Sequence, residues 1–220
     1  MTERRRISQK AHAFFDNLWK RGDPWDLESS EFERNKYARQ LAVLDERRCA
    51  RALEIGCGAG AFTRLLASIA DRVVAFDIAP SAIARARAMG AGPGAVDFRV
   101  ANIMEYDPRA EGPWDLVVMS ETIYYLGWLY PFFDVAWLAS ELFAATNGAG
   151  RLLMANTYGG TEDYLLRPWL IRTYRDLFVN VGYRLEAEEI FRGTKDGADL
   201  EVLITLFAKV PEEVVDGGDS

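Results

Sequence analysis

The chain has 220 residues, with 26 basic against 33 acidic side chains, a formal net charge of −7 and a single histidine. That length suits one domain with a full core, or one domain plus a small cap. The acidic balance argues against an electrostatic grip on DNA or RNA, which needs a basic footprint. One histidine leaves no material for a His-rich zinc site and argues against a histidine acid/base dyad.

The N-terminal stretch is charged and has no apolar core followed by a small-residue cleavage site, so no signal peptide is expected there. The longest apolar candidate, Ile123 to Phe133, is interrupted by Gly127 and Pro131 and falls short of the ~20 residues a membrane helix needs. Cys49 and Cys57 cannot form a disulfide framework. A cytoplasmic enzyme is the expectation. The last ten residues, 211–220, read as a loose acidic tail.

In chain order, residues 1–49 read as a helical cap. Phe14, Phe15, Leu18 and Trp19 give a first helix an apolar face, and Gly22-Asp23-Pro24-Trp25 breaks it. A second helix starts at Ser30, with Glu33 three residues on as a capping box, and its apolar face holds Tyr37, Leu41 and Leu44. From residue 50 to 210 short apolar runs alternate with helical segments. Strands are expected at 52–55, 73–76, 96–100, 116–119 and 151–155, and helices near 62–69, 81–89 and 133–145. A turn is expected at Asn147-Gly148-Ala149-Gly150. Two further runs, 183–191 and 200–207, joined by a loop over 192–197, read as an antiparallel hairpin. The predicted class is α/β: a Rossmann-like, doubly wound, mostly parallel seven-stranded sheet with a C-terminal antiparallel hairpin.

Glu54-Ile55-Gly56-Cys57-Gly58-Ala59-Gly60 lies between the first strand and its helix. Glycines there allow a tight turn and close approach of a ligand to the backbone, beside the positive end of a helix. Asp77, 17 residues past Gly60, ends the second strand, where a carboxylate can accept from both ribose hydroxyls. The loop by itself also fits a dinucleotide fingerprint. Three features favour a different ligand. Glu54 can attract a ligand ammonium group, directly or through water. The fourth strand ends in Trp114-Asp115-Leu116-Val117-Val118-Met119-Ser120-Glu121. The chain ends in a hairpin, not a second mononucleotide-binding half.

With these motifs, residues 50–208 resemble the class I S-adenosylmethionine-dependent methyltransferases. The resemblance implies that Gly56 and Gly58 lie along the methionine part of the cofactor, that Asp77 holds its ribose and that Ile78 packs on its adenine. Asn102, with Ile103, stands where such enzymes often carry an acidic residue, which implies a contact from its side-chain oxygen to the adenine amino group. Within that class, Asp23-Pro24-Trp25, Phe32-Glu33, Lys36-Tyr37, Ser120-Glu121-Thr122-Ile123-Tyr124-Tyr125-Leu126 and Asp199-Leu200-Glu201-Val202-Leu203 are similar to the nodulation-type (NodS-like) N-methyltransferases. This implies methylation of an amino-sugar amine, with Trp25 and Tyr37 in a lid over the cofactor. The aromatic length around 127–133 departs from the family and leaves the acceptor open.

Methyl transfer is an in-line displacement, so holding acceptor and methyl at roughly 3–3.5 Å is much of the task. A neutral amine needs little beyond that, whereas an alcohol or phenol usually needs a base or a metal. His12 lies far upstream of the core, and no carboxylate cluster has metal spacing, so nitrogen is the favoured acceptor. Glu121 is the expected acceptor-side catalytic residue: at the carboxyl edge of the sheet it can attract an ammonium and accept its proton. Tyr124 and Tyr125 are candidate substrate contacts. The stretch 124–137 holds seven of the 27 aromatic residues, and sugars stack on such faces. Asn156, Thr157 and Tyr158 leave the fifth strand at the same edge and are candidates to line the acceptor site. A small-molecule O-methyltransferase and, more remotely, a nicotinamide-dependent oxidoreductase stay open as alternatives.

Overall fold

In a computed structural model, residues 3–45 and 47–210 are described; the expected tail at 211–220 lies outside them. Seven strands form one sheet: β1 (Cys49–Ile55), β2 (Ala70–Asp77), β3 (Ala95–Val100), β4 (Trp114–Ser120), β5 (Thr146–Gly159), β6 (Arg184–Lys195) and β7 (Ala198–Ala208). Their order is β3-β2-β1-β4-β5-β7-β6. The first five are parallel, and β7 runs antiparallel to both β5 and β6.

The inner strands are buried on both faces, which is why Val73-Val74-Ala75-Phe76 and Leu116-Val117-Val118-Met119 are continuous apolar runs. Alternation sends Leu53, Val74, Val117 and Leu152 toward one layer, packed by α6 (Phe132–Ala145) and α7 (Pro168–Asn180). It sends Ala52, Val73, Leu116 and Leu153 toward the other, packed by α2 (Glu31–Val43), α3 (Ala61–Leu66) and α4 (Pro80–Met89). Two more helices flank the carboxyl edge of the sheet: α1 (Glu3–Lys20) and α5 (Ile123–Leu129).

Four expectations shift. The hairpin needs no six-residue loop. Asp196 and Gly197 both take positive φ (52° and 80°), the two-residue arrangement that matches strand twist, and Lys195 pairs with Ala198. β5 is longer than 151–155: its far end pairs with β7 from Asn156 to Gly159, and the Asn147–Gly150 turn is absorbed as an irregularity beside β4. α3 stops at Leu66, because β2 already begins at Ala70.

The fourth shift concerns α2. Ser30 caps it, accepting from the Glu33 N–H, but the Glu33 carboxylate does not reach back. The Ser30 N–H is already bonded to the Asp26 carbonyl, and two lysine ammonium groups draw Glu33 inward. The buried face of α2 therefore carries Glu33, Lys36 and Gln40 beside Phe32 and Tyr37, while Leu41 is only half-buried. No helix among the described residues is long and apolar enough to cross a membrane.

Candidate active site

A cavity of about 460 Å³ opens at the carboxyl edge of β1, β2 and β4, roofed by residues of α1, α2 and the segment between them. Its floor is the glycine loop. Gly56 and Cys57 donate to the Phe76 carbonyl at 2.8 Å, which ties the loop to β2. Gly58 has φ of 55°, and a Cβ there would stand 2.9 Å from the Trp19 ring. A side chain is thus excluded both by conformation and by the roof. At Gly56, with φ of 81°, a Cβ would meet the Thr122 hydroxyl, which is itself bonded to the Ile55 carbonyl.

Two carboxylates line this floor, and no cation pairs directly with either among the described residues. Asp77 accepts from Gly58 N–H (2.9 Å) and Ala79 N–H (2.8 Å). Burial nonetheless pushes its pKa up to about 6. Glu54, 2% exposed, accepts from the Thr63 hydroxyl at 2.5 Å, and burial raises its pKa to about 7. The neighbouring Arg64 forks onto Glu28 at 2.6 and 2.7 Å. Buried negative charge without a paired cation is unfavourable by itself and favourable beside a cationic ligand.

Ile78, Asn102 and Ile103 line the same end. The Asn102 side-chain oxygen accepts from Met104 N–H at 3.1 Å, and its amide donates to Ser8 (3.1 Å) and Tyr130 (2.7 Å). One lone pair of that oxygen stays available to a ligand. Trp25 closes the roof, edge-on to Trp19 at 5.8 Å and tilted against Tyr125 at 6.5 Å.

Ser120 and Glu121, at the close of β4, line the same cavity. The Ser120 hydroxyl oxygen is buried with no hydrogen-bond partner among the described residues. Glu121 has φ of 55°, a left-handed conformation that a non-glycine residue holds only when its surroundings impose it. Four bonds impose it here. Oε1 accepts from Lys36 Nζ (3.1 Å) and the Thr157 hydroxyl (3.0 Å), and Oε2 accepts from Tyr124 (3.1 Å) and Thr157 N–H (2.9 Å). The expected free proton acceptor is thus committed to its neighbours. Burial works against the Lys36 ammonium, yet Glu121, Tyr37 and Glu33 hold its pKa above the usual lysine range. Glu33 also pairs with Lys195 at 2.8 Å, and Lys195 donates to the Trp25 carbonyl at 2.5 Å. Cap helix, β4 and the hairpin end thereby share one ion network.

Of the residues singled out in the sequence, Trp25, Glu54, Gly56, Gly58, Asp77 and Ile78 meet at this cavity, as do Asn102, Ile103, Ser120, Glu121, Tyr124 and Tyr125. Tyr158 does not. Strand alternation turns Thr157 into the cavity and sends Tyr158 to the other face, where it packs on Ile171 and Leu203 and accepts from Arg172. Asn156 is fully buried and also outside the lining. His12 is outside it too. The sequence marks Glu33 as a cap and gives Lys36 no role of its own, yet polar residues at 33, 36 and 40 have the spacing of one helix face. Lys195 carried no local signal, because its reach depends on where the hairpin ends.

The nodulation protein S (NodS) family model matches residues 8–129. Nodulation protein S of Rhizobium tropici is 39% identical over 151 residues, 67% of this chain. That of Bradyrhizobium diazoefficiens is 37% identical over 153 residues, also 67% of this chain. The matches span 58% and 66% of those two relatives' lengths. Among solved structures, the N-methyltransferase NodS of Bradyrhizobium japonicum WM9 in complex with S-adenosyl-L-homocysteine superposes with a TM-score of 0.75 at 22% identity, covering 90% of this chain and 97% of that one. The 1,6-didemethyltoxoflavin-N1-methyltransferase of Burkholderia thailandensis gives 0.70 at 17% identity, covering 96% and 92%. These likenesses place the fold among methyltransferases, and the family match covers the cap, the glycine loop and β4: the chain belongs to the nodulation protein S family.

Proposed function

We propose that the protein is an S-adenosylmethionine-dependent methyltransferase acting on the amine of a small molecule, with an amino sugar as the acceptor class. One observation carries this: the buried carboxylate of Glu54 and the half-buried carboxylate of Asp77 flank the glycine loop under a roofed cavity, and among the described residues neither is paired with a cation. That donor set fits the cofactor. Asp77 would accept from the ribose hydroxyls, Glu54 would take the charge of the ammonium group, and Gly56 and Gly58 would leave room for the methionine chain. Ile78 and Ile103 would hold the adenine, Asn102 would bind its amino group, and Trp25 would close over the cofactor. When bound, S-adenosylmethionine supplies a methyl group already activated on sulfonium. The chain's residues then have to hold the amine in line and exclude water.

At the acceptor end, Tyr124, Tyr125 and Thr157 form the wall, and Glu121 fixes it by binding Tyr124 and Thr157. Glu121 positions this wall. Residues 1–49 act as the lid. The acceptor is a small molecule and not nucleic acid, in keeping with the net charge of −7. The free thiols of Cys49 and Cys57 suit a cytoplasmic location.

The test is a thermal shift with S-adenosylhomocysteine against NADH, followed by a mass-spectrometric screen of amino sugars for methyl gain. Stabilisation by S-adenosylhomocysteine is expected, by about 2.7 kcal/mol at a hundredfold excess over its Kd. Stabilisation by NADH in its place would overturn the reading.

A further inference from the structure

Three carboxylates reach the acceptor end of the cavity, and two are neutralised. Glu33 lies between Lys36 (2.6 Å) and Lys195 (2.8 Å), and Glu121 binds Lys36 and three further donors. These two acids and two lysines sum to no net charge. The third is Asp163, on the exposed segment between β5 and α7. One of its oxygens accepts from Leu165 N–H at 2.9 Å; among the described residues, nothing binds the other and no cation pairs with it. Its neighbours Thr161, Leu165 and Leu166 line the cavity beside it. The same segment presents two exposed rings, outside the cavity lining. Tyr164 and Trp169 are 65% and 56% exposed and meet edge-to-face at 5.8 Å.

We propose that the segment 161–169 is the acceptor subsite, in which Asp163 binds the amine of an amino sugar and the Tyr164–Trp169 pair stacks on the apolar face of its ring. This deepens the methyltransferase reading and rests on it. The acceptor end has a net negative charge because of Asp163, so a cationic acceptor is drawn there. Tyr125 registers that charge: burial first, then Glu121, and also Asp163 push its hydroxyl pKa up to about 12. Paired aromatic rings beside a polar anchor offer sugars their C–H faces and a fixed hydrogen bond. Before transfer the ammonium loses one proton, which exposed Asp163 passes to bulk water. The N–C bond then forms with the nitrogen lone pair as the C–S bond breaks, its electron pair going to sulfur. The product is a methylated ammonium, which sheds its second proton by the same route. Glu121 takes no proton in this scheme, because its oxygens are already engaged.

The experiment compares binding of a glucosamine disaccharide and its fully N-acetylated form to the full chain saturated with S-adenosylhomocysteine, by calorimetry. The free amine should bind about tenfold or more tightly than the neutral acetyl form, the scale of one charged hydrogen bond. In Asp163→Asn that preference should collapse to about threefold or less, with S-adenosylhomocysteine affinity unchanged, and Asp163→Glu should restore part of it. Trp169→Ala should weaken both sugars alike, since stacking ignores the charge. Retention of the preference in Asp163→Asn, equal binding of the two forms by the wild type, or binding of neither would overturn the subsite. Failure of S-adenosylhomocysteine itself to bind would sink the methyltransferase reading beneath it.

Discussion

Lys36 and Glu121, 85 residues apart in the chain, meet at 3.1 Å where the cap helix α2 crosses the end of β4. Their side chains are 2% and 19% exposed. The pair joins the roof of the cavity to the wall formed by Tyr124 and Thr157. Through Glu33 and Lys195 it extends to the hairpin end and to the Trp25 carbonyl. A buried ion network of this kind adds little net stability over an apolar core, but it penalises any arrangement that strands one of its charges.

Lys36→Met is expected to destabilise the protein by about 3 kcal/mol at neutral pH, because Glu121 loses its only paired cation among the described residues and Glu33 keeps only Lys195. Urea unfolding with tryptophan fluorescence measures this. A loss below about 1 kcal/mol, the range of a surface ion pair, would show that the network is solvated and dispensable.

Glu121→Gln should lower turnover by about tenfold or more while leaving S-adenosylhomocysteine affinity within about threefold. The carboxylate's partners are Lys36, Thr157 and Tyr124, and it makes no hydrogen bond to the glycine loop among the described residues. Steady-state kinetics with an accepted amine, set beside calorimetry with S-adenosylhomocysteine, separates the two effects. Unchanged turnover would remove Glu121 from the mechanism.

Asp77→Ala should weaken S-adenosylhomocysteine by about a hundredfold, since it removes the proposed ribose acceptor and also the anchor of Gly58 N–H. If affinity changed by less than about threefold, Asp77 would be an element of loop structure and no cofactor ligand.

The raised carboxylates set a pH dependence. Burial pushes Glu54 up to about 7 and Asp77 up to about 6, above their ordinary values of 4.5 and 3.8. Between about pH 4 and 7 the folded state therefore holds protons that the unfolded chain has released. Stability is consequently lost as pH rises through that window, at most about 1.4 kcal/mol per group per pH unit. Glu54→Gln should flatten part of the fall and be the more stable protein at pH 8, while binding S-adenosylhomocysteine more weakly. In the wild type, that ligand should bind more tightly as pH rises from 5 to 8. Tm series and calorimetry across this range check both signs; tighter binding at pH 5 would contradict the assignment of Glu54 as the ammonium partner.

Much of the site was legible in the chain. The Glu54-to-Gly60 loop and Asp77 are local features, because a strand must turn into a helix over a fixed number of residues and the next strand end must fall beside it. The Ser120–Tyr125 run was legible for the same reason, as was the hairpin, since Asp196-Gly197 dictates its own turn. Tyr158 was misplaced because side-chain alternation near an irregularity in β5 cannot be read without the pairing partner.

By itself, then, the sequence determined the βα order, the glycine loop with its acidic flanks and the aromatic turn after β4, all properties of contiguous residues. Tertiary structure decided the electrostatics. Glu33 turned from cap to ion-pair partner, Lys195 reached the roof, Glu121 became committed to four bonds, and Asp163 was left, among the described residues, with an unpaired oxygen at the cavity. A charge's role depends on which oppositely charged group arrives from a distant segment, and on how much water is left around it.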